Sequence, residues 1–405
     1  MVITPRLTTT FSEDAFTFIL NSEDFAANGQ VYSDTVGVPT MGYGYAMLVT
    51  PGNGSWVRKK TLIDDMSALG ITLTNEQLLT LTLIAQALES GLVTLASDLS
   101  NGLGDQTGTG DIRAISEAEG RVLFNLELQR SLDAVKSRFI KFLGGSAGNA
   151  LFTSLENSQE MVALASLAYN AQTLIGENLV KALAAGDRAE AWYQIRYESN
   201  LQGNLTDRRY RESDQFSLYN TGIDADEATN IYRMFTLHRG DIFAQEQAHD
   251  PTNPNAGSTR IDSQLAGARN ALLASINAEN GLSLDPGKYA STNIYVDPGR
   301  TRAGQTVNPN NSFDLNSIRF DSLHNEIVSH DILMGEGGAD LLTSGLGDDV
   351  LIGGQGNDVL AGGGGQDVYV YRTGDGADSI RDTGHDGSVV YNGIALTGAG
   401  ATTGC

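Results

Sequence analysis

Gly353-Gly354-Gln355-Gly356-Asn357-Asp358-Val359-Leu360 is followed, one nonapeptide later, by Gly362-Gly363-Gly364-Gly365-Gln366-Asp367-Val368-Tyr369. Outward from this pair, aspartates recur at every ninth position: Asp331, Asp340, Asp349, Asp358 and Asp367. Two residues after each comes a large apolar or aromatic side chain, namely Leu333, Leu342, Leu351, Leu360 and Tyr369. Units this short bury nothing alone, so the pattern predicts a stack in which each turn needs its neighbours. Glycine admits the positive φ of a tight turn. Such a turn aims backbone carbonyls and an Asp carboxylate inward, giving an all-oxygen site suited to Ca²⁺. The apolar residue two places on points into a thin core between short strands.

The segment resembles the nonapeptide repeats of RTX (repeats-in-toxin) proteins, Gly-Gly-x-Gly-x-Asp-x-apolar-x. The resemblance implies a parallel β-roll at 329–400, calcium-dependent folding, and secretion by a type I machine that reads a C-terminal signal. It marks Asp331, Asp340, Asp349, Asp358 and Asp367 as the calcium ligands. Glu336 and Ser344 stand where the pattern has glycine, and Val368–Ala395 resembles the strand-rich cap that follows such coils. The local charge agrees: Asp331, Glu336, Asp340, Asp348, Asp349, Asp358 and Asp367 meet almost no cation before Arg372. Self-repulsion therefore holds the calcium-free segment unfolded. Low calcium inside a bacterium and millimolar calcium outside would then make folding follow export.

Upstream, residues 246–328 contain Pro251, Pro254, Pro286, Pro298 and Pro309 among Asn, Gly, Ser and Thr. This composition predicts an irregular linker with one helical island, Ile261–Asn280. Residues 10–245 carry helical periodicities. Thr10-Phe11-Ser12-Glu13 fits a capping box. Phe16, Ile19 or Leu20, and Glu23 then fall on one helical face. An acid at the end of an apolar stripe is partly desolvated, which raises its pKa. The run Gln30–Tyr45 predicts two short strands around a turn punctuated by Gly37-Val38-Pro39.

Here a second resemblance enters. Glu23…Tyr32-x-Asp34-x-x-Gly37-x-x-Thr40-x-Gly42-Tyr43-Gly44 is similar to the active-site segment of phage-type lysozymes (endolysin muramidases). Ile115-Ser116-Glu117-Ala118-Glu119, the run Gln159–Asn170, Ala184-Ala185-Gly186-Asp187-Arg188 and Arg208-Arg209-x-x-Glu212 resemble that family's later elements in the same order, over roughly residues 12–220. The resemblance implies an α+β lysozyme-like domain, mainly helical with a small β-hairpin lobe, at 10–245. The chain departs from the pattern in Asp24, in about two extra residues between Glu23 and Asp34, in Tyr45 where the family has His, and in an insertion at about 50–112. The insertion carries a predicted helix from Asn75 to Ser90.

Glycoside hydrolysis needs a proton donor and a carboxylate set across the scissile bond. Glu23 is the expected general acid, and Asp34 the ionised carboxylate that stabilises an oxocarbenium-like transition state. Thr40 is expected to hold the water. The resemblance implies inversion at the anomeric carbon, and an ion pair from Arg208 behind the acid. The expected function is that of a secreted muramidase acting on peptidoglycan glycan strands, cleaving between N-acetylmuramic acid and N-acetylglucosamine. Its rival is a non-catalytic, adhesin-like RTX protein that binds cell walls through a degenerate lysozyme fold. Taken alone, a Glu at a helix end and an Asp in a turn are ordinary solvated residues.

Composition narrows the remaining classes. Lys and Arg number 26 against 49 Asp and Glu, a net charge of −23, which is unsuited to phosphate contacts with nucleic acid. The same charge slows approach to an anionic wall at low salt, and bound calcium would offset part of it. The one cysteine, Cys405, allows no internal disulfide. Met1–Thr10 lacks a basic region followed by an apolar run, so no Sec signal is expected. No run approaches the ~20 apolar residues of a membrane span. The five histidines form no metal-binding pair such as HExxH and are expected at the surface or in loops. The Gly-rich repeats contain no lysine for a phosphate loop.

Overall fold

Ser116 and Glu119 precede an apolar periodic run, and they close a capping box on it. The Ser116 hydroxyl accepts the Glu119 N–H at 3.3 Å, and the Glu119 carboxylate accepts the Ser116 N–H at 2.8 Å. The helix Glu117–Leu143 follows. Thr74 and Gln77 open the helix Asn75–Glu89 in the same way, within a residue of the predicted end. These elements belong to a computed structural model that describes residues 3–20, 26–50, 55–105, 110–200, 205–220, 222–249, 256–299 and 312–396. The chain divides into two units, 4–181 and 182–405, the latter taking in 1–3. The division falls within the helix Glu177–Ala185.

In the unit 4–181 the central helix Gln159–Asn170 is buried along its length from Glu160 to Ala168. Its charged residue Glu160 is fully buried, and it accepts from the Arg6 backbone N–H at 2.9 Å and from Arg6 Nε at 3.0 Å. The helix Phe11–Leu20 meets the central helix through Ala15, Ile19, Val162 and Ala165. The predicted hairpin is present as Tyr32–Ser33 paired antiparallel with Pro39–Met41, and Tyr45–Ala46 adds a third strand.

Strands of two or three residues cannot bury their own apolar side chains. The segment 62–102 does that for them. Its helices Leu62–Ala68, Asn75–Glu89 and Val93–Gly102 share one core with the hairpin, in which Val38, Met41 and Tyr45 lie with Met66, Ile84 and Ala96. Polar contacts fix the fit: Ser33 N–H donates to Asn101 Oδ1 at 2.8 Å, and the Ser100 hydroxyl donates to the Gly37 carbonyl at 2.9 Å. Tyr45, which stands where the lysozyme pattern has His, is buried and donates to Asp65 Oδ2 at 2.6 Å.

The unit 182–405 begins with helices. Within 246–328, where an irregular linker is the expectation, the structure has the end of a helix Ala225–His249 and a second helix Ala256–Asn280. The helical island is thus longer than predicted. Pro251 and Pro254 lie outside the described residues. The same stretch supplies two strands, Ile294–Val296 and Asp314–Asn316. His238, expected at the surface, is buried in Ala225–His249: its ring stacks on Tyr193 at 3.7 Å between centroids, and Nε2 lies 3.0 Å from Glu190 Oε2.

The C-terminal segment is the parallel roll its repeat predicts. Ile294–Val296, Ile332–Met334, Val350–Ile352, Val368–Tyr371 and Ser388–Tyr391 run parallel in one sheet. Asp314–Asn316, Leu341–Leu346, Val359–Gly364 and Ser379–Asp382 form the facing one. Register places Leu333, Leu351 and Tyr369 in one row and Leu342 and Leu360 in another. With Tyr295 and Leu315 they form the thin interior core. The Thr236 hydroxyl accepts the Val296 N–H at 3.0 Å, so a helix side chain satisfies part of the roll's first edge. Among the described residues, no helix is long and apolar enough to cross a membrane.

Candidate functional site

One turn of the roll is two nonapeptides, and the aspartates link successive turns. Asp331 N–H donates to Asp349 Oδ1 at 2.8 Å, and Asp340 N–H to Asp358 Oδ1 at 2.8 Å. Asp349 N–H donates to Asp367 Oδ1 at 3.0 Å. All five side chains are buried. One oxygen of each linking pair is therefore spent on the backbone of the preceding turn. The other oxygen is different: among the described residues, Oδ2 of Asp340, Asp349 and Asp358 is buried with no hydrogen-bond partner. A buried oxygen without a partner costs free energy that a cation removes.

Glycine makes the room for this oxygen. A Cβ placed on Gly335 would lie 2.6 Å from Asp340 Oδ2 and 2.6 Å from the Gly353 carbonyl oxygen. On Gly353 it would lie 2.4 Å from Asp358 Oδ2, and on Gly362 2.2 Å from Asp367 Oδ2. Carboxylate and carbonyl oxygens thus converge where the sequence places its first loop glycine. Among the described residues no three His, Cys, Asp or Glu side chains cluster for a metal. A cation here must take backbone carbonyls as well, the hard-oxygen set of Ca²⁺ rather than a Zn²⁺ set. The residues present fit calcium.

Electrostatics points the same way. Burial, reinforced by the charges of Asp297, Asp358 and Glu336, pushes the Asp340 carboxyl up to about 7. Burial with Asp331 and Asp367 close by pushes Asp349 to about 7, and burial, with Asp382 and Asp386 adding to it, raises Asp367 to about 6. Burial also raises Asp358. Without an ion these groups resist ionising together.

Asp331 is served differently from the other four. Its Oδ2 accepts from the Ser329 hydroxyl at 2.7 Å and the Ser317 hydroxyl at 3.0 Å, and its Oδ1 lies 3.6 Å from Arg319 Nη2. The protein supplies the counter-charge at this end of the row. At the other end, Asp378 continues the series unpredicted. Its Oδ1 accepts the Asp358 N–H at 3.0 Å, and its Oδ2 is buried without a partner among the described residues. The preceding loop is two residues longer, which takes Asp378 out of the nine-residue count. Its signal was the triplet Asp378-Ser379-Ile380, which repeats the Asp-x-apolar spacing.

The three expected catalytic residues are placed unequally. Glu23 lies outside the described residues. Asp34 begins the hairpin turn, where its Oδ1 accepts the N–H groups of Val36 at 2.9 Å and Val38 at 2.8 Å. Thr40 is buried on the next strand, and its hydroxyl donates to the Val38 carbonyl at 3.1 Å. Asp34 and Thr40 thus share one hairpin. Arg208 forms an ion pair with Glu212 at 3.3 Å within the helix Thr206–Phe216.

Residues 330–369 match the RTX calcium-binding nonapeptide repeat family, in 4 copies. The segment is a calcium-binding repeat, and the matched residues include all five registered aspartates, Asp331, Asp340, Asp349, Asp358 and Asp367. A comparison with curated proteins found no match.

Proposed function

We propose that this chain is a secreted peptidoglycan hydrolase, a muramidase whose C-terminal roll folds on calcium after export. The observation that carries the calcium half is the row of buried, unpartnered Oδ2 atoms on Asp340, Asp349 and Asp358. These aspartates, with Asp367 and the loop carbonyls, would hold the ions. When bound, calcium supplies the positive charge that lets the carboxylates ionise side by side. Asp331 belongs to the same ligand row by resemblance, with Arg319 sharing its charge. A type I export machine is the route that fits a segment unfolded at low calcium.

The catalytic half rests on the ordered lysozyme-like motifs and on three elements that come in the order those motifs require. These are a helix ending at Leu20, a hairpin carrying Asp34 and Thr40, and a buried central helix packed behind the first. In this reading Glu23 donates its proton to the glycosidic oxygen. The Asp34 carboxylate stabilises the positive charge that develops on the sugar and accepts the proton of the attacking water, which Thr40 orients. The reading predicts that the full chain, with calcium present, releases reducing ends from purified peptidoglycan. Glu23→Gln should reduce that release at least about a hundredfold, the usual worth of a general acid. A wild type that releases none overturns the enzyme reading, and a fully active Glu23→Gln overturns the assignment of the acid.

One observation favours a non-catalytic wall-binding protein instead. Asp34 Oδ1 and the Thr40 hydroxyl both serve the hairpin's own backbone. Sedimentation of an inactive wild type with insoluble peptidoglycan would select this second reading.

A further inference from the structure

The coil does not begin at Asp331. Tyr295 lies opposite Leu333, and Leu315 lies opposite Leu342, so another turn precedes the matched repeats. Register assigns the residues of that turn their counterparts. Asp297 N–H donates to the Met334 carbonyl at 2.9 Å, as Gly335 N–H donates to the Ile352 carbonyl at 2.9 Å one turn later. Phe313 N–H donates to Asp340 Oδ1 at 2.6 Å, as Asp340 N–H donates to Asp358 Oδ1 at 2.8 Å. Asp297 therefore stands in the slot of the first loop glycine, and Phe313 stands in the slot of the calcium-site aspartate. The two ends of the loop have exchanged chemistry.

The exchange conserves the carboxylate. In later turns the unpartnered Asp oxygen lies against the first glycine, so a side chain at that glycine's slot enters the same space. Asp297 places a carboxylate there. It is fully buried; its Oδ1 accepts the Gly299 N–H at 2.8 Å, and its Oδ2 has no hydrogen-bond partner among the described residues. Asp340, one turn on and 2% exposed, also leaves Oδ2 without a partner among the described residues. Arg233, whose charge reaches Asp297, is held by Glu336. On the opposite side of the roll, Arg319 answers Asp331 at 3.6 Å.

We infer that Asp297, with Asp340 and backbone carbonyls of the loop that follows Met334, forms a further calcium site at the N-terminal end of the roll, outside the matched repeats. Two buried carboxylates with neighbouring carbonyls give the hard-oxygen set that Ca²⁺ takes. The inference rests on the calcium-loaded roll, and it predicts one ion more than the repeats alone hold.

The test counts ions. Full-length wild type and Asp297→Asn are dialysed to equilibrium against millimolar CaCl₂, and bound calcium per chain is measured. Asp297→Asn should hold one ion fewer, with the others bound as in wild type. Adding Phe313→Asp to that variant should restore the lost ion by returning a carboxylate to its usual slot. Equal stoichiometry and affinity in wild type and Asp297→Asn overturn this site while leaving the roll intact. A wild type that binds no calcium overturns both. Crystals of wild type grown in calcium give an answer that needs no variant. Density beside Asp297 Oδ2 is expected, and its absence while the repeat sites are filled overturns the inference.

Discussion

Gly356 shows how tightly a single position controls the roll. Its φ is +152°, and a Cβ there would lie 1.4 Å from the Gly338 carbonyl oxygen of the turn below. That oxygen is backbone and has no rotamer to change, so the turns themselves would have to part. Gly356→Ala should therefore cost at least about 1–3 kcal/mol in the folded roll. Roughly 1.4 kcal/mol is tenfold in an equilibrium constant, a factor shared among the several ions bound on folding, so the calcium midpoint of the β signal should rise, by about tenfold or less. Circular dichroism against calcium concentration reads this directly, and an unchanged midpoint would show that the turns do not stack through this glycine. The aspartates obey the same economy of space, since one oxygen ties two turns and the other is left for the ion.

Among the elements, the segment 62–102 has a role that its sequence concealed. A hairpin this short needs a platform, and the helices Leu62–Ala68, Asn75–Glu89 and Val93–Gly102 supply one. The helix Glu117–Leu143 depends on its start. Arg113 donates to Glu119, which also accepts the Ser116 N–H, and these contacts hold the Glu119 carboxyl down at about 2. Ser116→Ala removes one half of the capping box and should cost about 1 kcal/mol, so amides in the helix's first turn should exchange with solvent about fivefold faster. Hydrogen exchange resolved to that turn is the measurement. Unaltered exchange would mean that tertiary packing alone sets this end.

At the scale of the whole molecule, acidity and calcium are coupled. The carboxyls of Asp340 and Asp349 sit at about 7 and that of Asp367 at about 6, all raised chiefly by burial. An unfolded Asp titrates near ~3.9. A raised carboxyl favours the folded state while it is protonated. Its contribution is complete below the unfolded value and is lost as pH rises through the folded one. The calcium-free roll should thus lose stability between about pH 4 and 7, and in chelator its β signal should be stronger at pH 5 than at pH 8. Calcium requires the ionised form, so with the metal the trend reverses, and the calcium midpoint should rise as pH falls from 8 to 6. A midpoint independent of pH over that range would remove these carboxyls from the ion sites.

The repeat determined the roll by itself, because a nine-residue period with Asp-x-apolar spacing leaves a chain little else to form. It also fixed which side chains enter the core, since alternation along a strand assigns Leu333, Leu351 and Tyr369 to one face. The helix starts at Ser116 and Thr74 were legible for the same local reason. Tertiary structure decided the rest. Ile294–Val296 and Asp314–Asn316 carry no glycine-aspartate signature, and they join the roll because its first turn must pair its open edge. His238 gives no sign in sequence of being buried, since only the fold brings Tyr193 and Glu190 to it. Asp297 looks like one more loop acid until parallel register sets it in a glycine's place. Register is a relation between distant strands, and no stretch of chain contains it.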